Sequence, residues 1–506
     1  MSELIYGENM QKKNLYYQST RGGNKKVLSA EAIIKGIAND GGLFVPITIP
    51  RLNQDFNKIK GIDYKTLAYI VMKEFFTDYH KDELMYCINQ AYDKKFDTEF
   101  IAPLAKKMGV YFLELFYGPT LAFKDMALSI LPHFLKKAAQ KLKLHKEIVI
   151  LTATSGDTGK AALQGFADVE GTKIIVFFPC QGVSKIQERQ MLTQEGENTF
   201  VIGIRGNFDD AQKGVKEIFE DIEFNKKIAE KNYIFSSANS INIGRLVPQI
   251  VYYFYAYLSM LGRGEIKKGE KINIAVPTGN FGDILAAYYA KEMGLSVNKL
   301  ICASNENKVL ADFFHTGIYD KRRELVATIS PSMDILVSSN LERLLWDISD
   351  KDAKKVKELM NSLRNKGFYQ IDSVMKGRLK NFYGGFASQE ECRQSIKEVF
   401  DESKYLIDPH TAVAFSVYKK YVKETQDKTK TVIVATASPF KFTKSVMESI
   451  DNRYKEFDDF ELIKKMSYLA QIPIPKAVRD IKNKPIRHKI VCRKEEMKAK
   501  IAEILK

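Results

Sequence analysis

Val149-Ile-Leu-Thr-Ala-Thr-Ser-Gly-Asp-Thr-Gly159 decides the fold. Its first half is an apolar run of strand length. A Ser/Gly/Thr loop follows, and Lys160 to Phe166 continues at once as a helix. A strand end feeding a helix N-terminus presents unpaired backbone N–H groups and the positive end of a helix dipole. Ser155 and Thr158 add hydroxyls without bulk, so the loop suits a small anion, a carboxylate or a phosphate. The same succession returns at Ile272-Asn-Ile-Ala-Val-Pro-Thr-Gly-Asn-Phe-Gly-Asp283. Two such loops imply a substrate or cofactor with two anionic ends.

Outward from these loops, strands are expected at Val110–Leu115, Ile148–Thr152, Lys173–Phe178, Asn198–Ile204, Tyr233–Ser237, Ile272–Val276, Lys299–Ala303 and Thr431–Ala435, mostly with helical patterns between. That alternation predicts an α/β fold of two parallel-sheet lobes, with ligands beyond the carboxyl ends of the strands. The expected core is 106–305 with 405–450, its smaller lobe lying at about 145–245. A mostly helical region, 1–105, precedes it, with Tyr17 to Gly23 read as a turn and Gly41 to Pro46 as a short strand. Residues 306–404 read as a helical insertion and 451–506 as a C-terminal extension.

A chain of 506 residues exceeds one ordinary core, and 45% hydrophobic with 28% charged content is that of a soluble globular protein. No stretch has the apolar length of a membrane span. The opening Met1-Ser-Glu-Leu-Ile-Tyr-Gly-Glu8 has no signal pattern, so a cytoplasmic protein is expected. Five scattered cysteines and six scattered histidines form no C-x-x-C or H-x-x-x-H pair, so no metal site is expected. The net charge of +16 comes from lysines interleaved with acids, as in Lys354-Lys-Val-Lys-Glu358. Solvated helix faces explain it, and no nucleic-acid-binding motif accompanies it.

Lys124 lies among Leu121, Ala122, Phe123, Met126, Ala127 and Leu128 near a helix start. Buried there, its amine would have a depressed pKa and be available for a Schiff base; otherwise it is a lysine snorkelling off a half-buried helix.

The order of these motifs resembles the pyridoxal-phosphate enzymes of the tryptophan-synthase-β fold type (fold type II), most closely the threonine synthase family. The resemblance rests on Tyr17-Gln-Ser-Thr-Arg-Gly22, Asp40-Gly-Gly-Leu-Phe-Val-Pro46, Phe123-Lys-Asp125, Thr152-Ala-Thr-Ser-Gly-Asp-Thr-Gly159 and Val183-Ser-Lys-Ile-Gln-Glu-Arg-Gln-Met191. It continues through Gly206-Asn-Phe-Asp-Asp-Ala-Gln212, Asn239-Ser-Ile-Asn242, Pro277-Thr-Gly-Asn-Phe-Gly-Asp283 and, more weakly, Ala435-Thr-Ala-Ser438. Together these cover most of the chain.

The resemblance implies that Lys124 carries pyridoxal 5′-phosphate and later moves protons along the substrate carbons. Gly279, Asn280, Phe281, Gly282 and Asp283 would cradle the cofactor phosphate, and the Thr436 hydroxyl would meet the pyridine nitrogen. Thr154, Ser155, Gly156, Asp157 and Thr158 would hold the substrate carboxylate. Asp157 stands where many fold-type relatives have Asn; it would repel a carboxylate unless screened or protonated, or else it caps the helix and faces away. Asn239, Ser240, Asn242 and Arg245, with Lys185 as a further cation, would hold the substrate phosphate; Arg245 alone could equally be a surface ion pair.

The implied reaction is O-phospho-L-homoserine plus water to L-threonine plus phosphate, by γ-elimination and β-hydration. A phospho-lyase releasing phosphate, ammonia and a keto acid shares the early steps. A different class is a non-catalytic phosphate- or nucleotide-binding protein on an α/β scaffold; a dinucleotide binder should show G-x-G-x-x-G after the first strand, which is absent. Monomer and homodimer both remain open.

Overall fold

The apolar runs become strands, here labelled β1 (Leu104–Lys107), β2 (Val110–Glu114), β3 (Glu147–Ala153), β4 (Thr172–Pro179), β5 (Thr199–Ile204), β6 (Tyr233–Ser236), β7 (Ile272–Pro277), β8 (Val297–Ser304), β9 (Phe382–Phe386), β10 (Thr431–Ala435) and β11 (Ile490–Cys492). The helices that position the site are α1 (Leu131–Lys141), α2 (Asp157–Phe166), α3 (Lys185–Leu192), α4 (Ile243–Gly262), α5 (Gly282–Glu292), α6 (Pro409–Thr425) and α7 (Met497–Ile504). The computed structural model describes residues 14–506 apart from 24, 155, 181 and 182. The Met1 to Glu8 segment and Ser155 therefore lie outside the described residues.

Six strands form one sheet in the order β9-β8-β7-β10-β2-β1, parallel except where β1 joins β2. Five form a second, all-parallel sheet in the order β11-β5-β4-β3-β6. Every residue of β2, β7 and β10 is buried, as expected of strands covered by helices on both faces. α4, apolar on nearly every side, packs between α5 and the N-terminal helix Tyr64–Phe75. No described helix is long and apolar enough to cross a membrane.

Three expectations are corrected. Tyr17 to Gly23 is not simply a turn: Tyr17–Ser19 pairs antiparallel with Phe44–Pro46, and the turn starts at Thr20. Three residues are too few to register a strand period. Residues 306–404 are not purely helical, since β9 forms an edge of the larger sheet and Ile318–Asp320 pairs with Phe368–Gln370. The glycines of Phe382-Tyr-Gly-Gly-Phe386 disguise that strand as a turn.

The third correction concerns the tail, which is no mere extension. β11 extends the smaller sheet beyond β5, and Met497 and Ile501 of α7 pack in the core of that lobe with Ile204 and Val215. β11 was illegible because two of its three residues face solvent.

Candidate active site

Both anion loops lie at the carboxyl ends of central strands, β3 and β7, and the end of β10 meets the loop that carries Lys124. That loop is pinned from two sides. Phe123 N donates to Thr436 O at 2.8 Å and Ser438 N to Leu121 O at 3.0 Å. Within it, Asp125 accepts from Thr120 N at 2.8 Å and Thr120 Oγ1 at 2.6 Å. Lys124 is therefore held by backbone, and its side chain, 12% exposed, sets Nζ 3.6 Å from Asp157 Oδ2. Burial lowers its pKa, with Lys441 and Arg245 acting in the same direction and Asp157 opposing.

Asp157, the first residue of α2, faces inward rather than away. Its Oδ1 lies 2.5 Å from Lys441 Nζ and accepts from Gln187 Nε2 at 2.7 Å; Ser332 Oγ donates to Oδ2 at 3.3 Å. Burial alone would push its carboxyl up, but Lys441 and Lys124 outweigh that and hold it well below the usual carboxylate range. An anion between two ammonium groups is a partner for amines, not for a substrate carboxylate, so that expected role is corrected. The Thr154 hydroxyl is also spent on the loop itself, accepting from Gly156 N at 3.0 Å and Gly159 N at 2.9 Å. Thr158 is half-buried beside it.

Gly156 carries φ +143°, and an added Cβ would stand 2.7 Å from Gln187 Nε2, the donor that steadies Asp157. Gly156→Ala is expected to cost about 1–3 kcal/mol of stability from backbone strain. Urea unfolding of the two proteins measures it.

Lys441, Gln187, Ser332 and the Asp408–His410 pair were not anticipated. Lys441 was visible as a lysine between Phe440 and Phe442, a setting that buries it completely. Its Nζ also donates to Thr120 O at 2.8 Å, tying α2 to the Lys124 loop. His410 Nδ1 meets Asp408 Oδ2 at 2.6 Å while Nε2 accepts from Ser332 N at 3.2 Å, which makes Nδ1 the protonated nitrogen. This relay fixes the turn that carries Ser332, and no sequence pattern announces it.

The Gly279–Asp283 loop has the form of an anion cradle. Phe281 adopts φ 63° as the N-cap of α5, turning the chain so that no protein acceptor among the described residues takes the N–H groups of Gly279, Asn280 and Phe281. The 306–404 segment clamps its far side: Ser338 Oγ donates to Gly279 O at 2.7 Å, and Asn340 Nδ2 to Asn280 O at 3.0 Å. A Cβ on Gly279 would meet Ser332 O at 2.9 Å, so the turn demands glycine. Asp283 gives its side chain to the fold, accepting from the hydroxyls of Tyr252 and Tyr253. Its Oδ2 is buried without a protein partner, and burial pushes the carboxyl up to about 6. Free N–H groups at a helix N-terminus fit a phosphate. With a low-pKa lysine across the site and Thr436 buried at the end of β10, the residues fit pyridoxal phosphate.

The expected second anion site is only partly assembled. Asn242 is fully buried and committed: Oδ1 accepts from Gly244 N at 2.9 Å, and Nδ2 donates to Ile33 O at 2.9 Å. It caps α4 and ties it to the N-terminal region, so its role as a phosphate donor is corrected. Arg245 is not a surface ion pair. It is 3% exposed, Nη1 donates to Ala238 O at 2.7 Å, and Nε has no protein partner. Burial brings its pKa down to about 10. Ser240 Oγ accepts from Asn340 Nδ2 at 3.3 Å, while Asn239 is exposed. Lys185 is exposed at the start of α3. Among the described residues no group of His, Cys, Asp and Glu could hold a metal ion.

Comparison with known proteins identifies the family. Residues 16–92 match the family "Threonine synthase N terminus", 97–437 "Pyridoxal-phosphate dependent enzyme" and 411–499 "Threonine synthase, C-terminal". The chain is 40% identical to threonine synthase-like 1 of Macaca fascicularis over 89% of its own length, and it spans 62% of the length of that relative. It is 36% identical to the threonine synthase of Saccharomyces cerevisiae, covering 90% of this chain and 94% of the relative. The crystal structure of PLP-bound threonine synthase from Brucella melitensis superposes with a TM-score of 0.85 at 33% identity, covering 97% of this chain and 98% of that one. The chain belongs to the threonine synthase family of pyridoxal-phosphate-dependent enzymes.

Proposed function

We propose that this chain converts O-phospho-L-homoserine and water to L-threonine and phosphate. The observation that carries the reading is the placement of Lys124. It is buried beside the Asp157–Lys441 ion pair, within reach of the field of Arg245, and the anion cradle opens nearby. Pyridoxal phosphate, when bound, supplies an electron sink for the carbons of an amino-acid substrate. Gly279, Asn280, Phe281 and Gly282 would hold its phosphate through backbone N–H groups, and the Thr436 hydroxyl would serve its ring nitrogen. Lys124, whose burial pulls its pKa below the ordinary lysine value, takes the proton from substrate Cα and later returns one to Cγ. Arg245 and Ser240, with Asn239 at the rim, take the substrate phosphate. The backbone N–H groups of Asp157 and Thr158, at the start of α2, take the substrate carboxylate.

All five cysteines are unpaired, which favours a reducing compartment and hence the cytoplasm. No nucleic-acid or membrane partner is invoked. The test is product analysis: the holoenzyme with O-phosphohomoserine should release phosphate and threonine in equal amounts. Phosphate accompanied by ammonia and a keto acid would identify a phospho-lyase instead.

A further inference from the structure

We propose that the cleft between α1, α2, α3 and the segment 477–484 is a second anion site, built to take a phosphate group. The cleft, of about 530 Å³, is lined by Lys160, Gln190, His133, Lys136, Thr193 and Lys484 among others. Neither Lys124, Asp157, Arg245 nor Lys441 borders it. Its wall meets the active site through Pro119, in the loop that carries Lys124, and through α2 and α3, which carry Asp157 and Gln187.

Lys160 is the central observation. Its residue is 7% exposed, yet its ammonium donates only to amide oxygens, Gln164 Oε1 at 3.3 Å and Gln194 Oε1. Among the described residues it has no carboxylate partner; Asp125, the opposing charge that acts on it most strongly, is itself occupied by Thr120. A buried cation without a counter-ion is costly. Burial brings its pKa down to about 7, and an anion beside it would restore the charge.

Gln190 stands opposite, 2% exposed, with neither Nε2 nor Oε1 bonded to any protein group. The Nδ1 of His133, on α1, is likewise buried and unpartnered. Unpaired buried polar groups of this kind each cost about 1–3 kcal/mol. Three helices thus bring a lysine, an amide and an imidazole with unpaired polar atoms to the lining of one cleft. The charges facing it are Lys95, Lys136, Lys160 and Lys484 against Asp168, Glu170 and Glu195, and Lys136 is already paired with Glu170 at 2.7 Å. Donors from three directions suit the several acceptor oxygens of a phosphate better than the two of a carboxylate. A protonated phosphate oxygen would donate to Gln190 Oε1. The shared chemistry is a phosphate group, free or as the head of an ester.

The test is equilibrium dialysis of the holoenzyme against radiolabelled inorganic phosphate. It rests in one respect on the substrate phosphate site proposed above, so Arg245→Met is run beside Lys160→Met. The expected result is that each substitution removes one bound phosphate and the double substitution removes both. Lys484 is exposed at the rim. Lys484→Glu should weaken the second site about tenfold while leaving turnover unchanged, which keeps the test decisive if Lys160→Met does not fold. Unchanged phosphate binding in both Lys160→Met and Lys484→Glu would overturn the proposal. Unchanged binding in Arg245→Met, with loss in Lys160→Met, would sink only the substrate-site assignment. A glycerol 3-phosphate arm separates the sources: displacement of the Lys160-dependent phosphate indicates an ester head, and its failure indicates free phosphate.

Discussion

Lys124→Ala is expected to lower threonine formation by about 10³-fold or more and to abolish the visible absorption of the holoenzyme, with little loss of fold stability. The size of the effect follows from geometry. Lys124 is the lysine that faces the site with its pKa lowered, and the neighbouring ammonium, Lys441, is engaged by Asp157 and the Thr120 carbonyl. Lys441 therefore cannot take over proton transfer. Stability should hold because Asp157 keeps its shorter ion pair, 2.5 Å to Lys441 against 3.6 Å to Lys124. Lys124→Arg separates chemistry from electrostatics: it preserves the charge beside Asp157, but a guanidinium stays protonated and cannot act as a base. Steady-state rates, absorption spectra and thermal unfolding of the three proteins check this. An active Lys124→Arg enzyme would remove Lys124 from proton transfer.

What the sequence reveals and hides follows from range. Strands such as β3 and β7 are legible because each is a continuous buried run ending in a glycine loop, a signal contained within a dozen residues. β11 is hidden because its pairing with β5 joins residues 490–492 to 202–204, and neither its length nor its polarity betrays a partner that far away. The site divides the same way. Lys124, the Gly279–Asp283 loop and Arg245 sit in local motifs, but those motifs alone left Lys124 free to snorkel and Arg245 free to pair at the surface; the fold shows both buried. Asp157 was assigned to a substrate carboxylate because its real partners, Lys441 and Gln187, lie on other elements. Asn242 looked like a ligand donor because its type suits that work, while the structure spends it capping α4 and holding Ile33. Residue type indicates what a side chain can bond, and only the fold decides what it does bond.

Lys441→Met is the more discriminating experiment, because it separates the charge at Asp157 from the chemistry at Lys124. Lys441 is 0% exposed, and its removal leaves Asp157 buried with a single, longer ion pair at 3.6 Å. Breaking a buried pair from one side costs about 3–5 kcal/mol, and the lower end is expected here because Lys124 and Gln187 remain. Replacing Asp157 by Asn as well should recover most of that loss, since the stranded charge is then gone; additive losses would mean that the pair does not interact.

The pH dependence has a definite sign. The folded-state pKa of Asp157 is depressed, so its stabilisation is present above the ordinary aspartate value of about 4 and is lost as pH falls toward the folded value. Without Lys441 the depression shrinks, and Lys441→Met should lose less of its remaining stability on acidification than the parent. Turnover carries a second sign. Lys441 lowers the pKa of Lys124, and its removal should keep Lys124 protonated to higher pH, moving the acidic limb of the rate profile upward. A lysine that only packed the loop would change stability and leave that limb where it was.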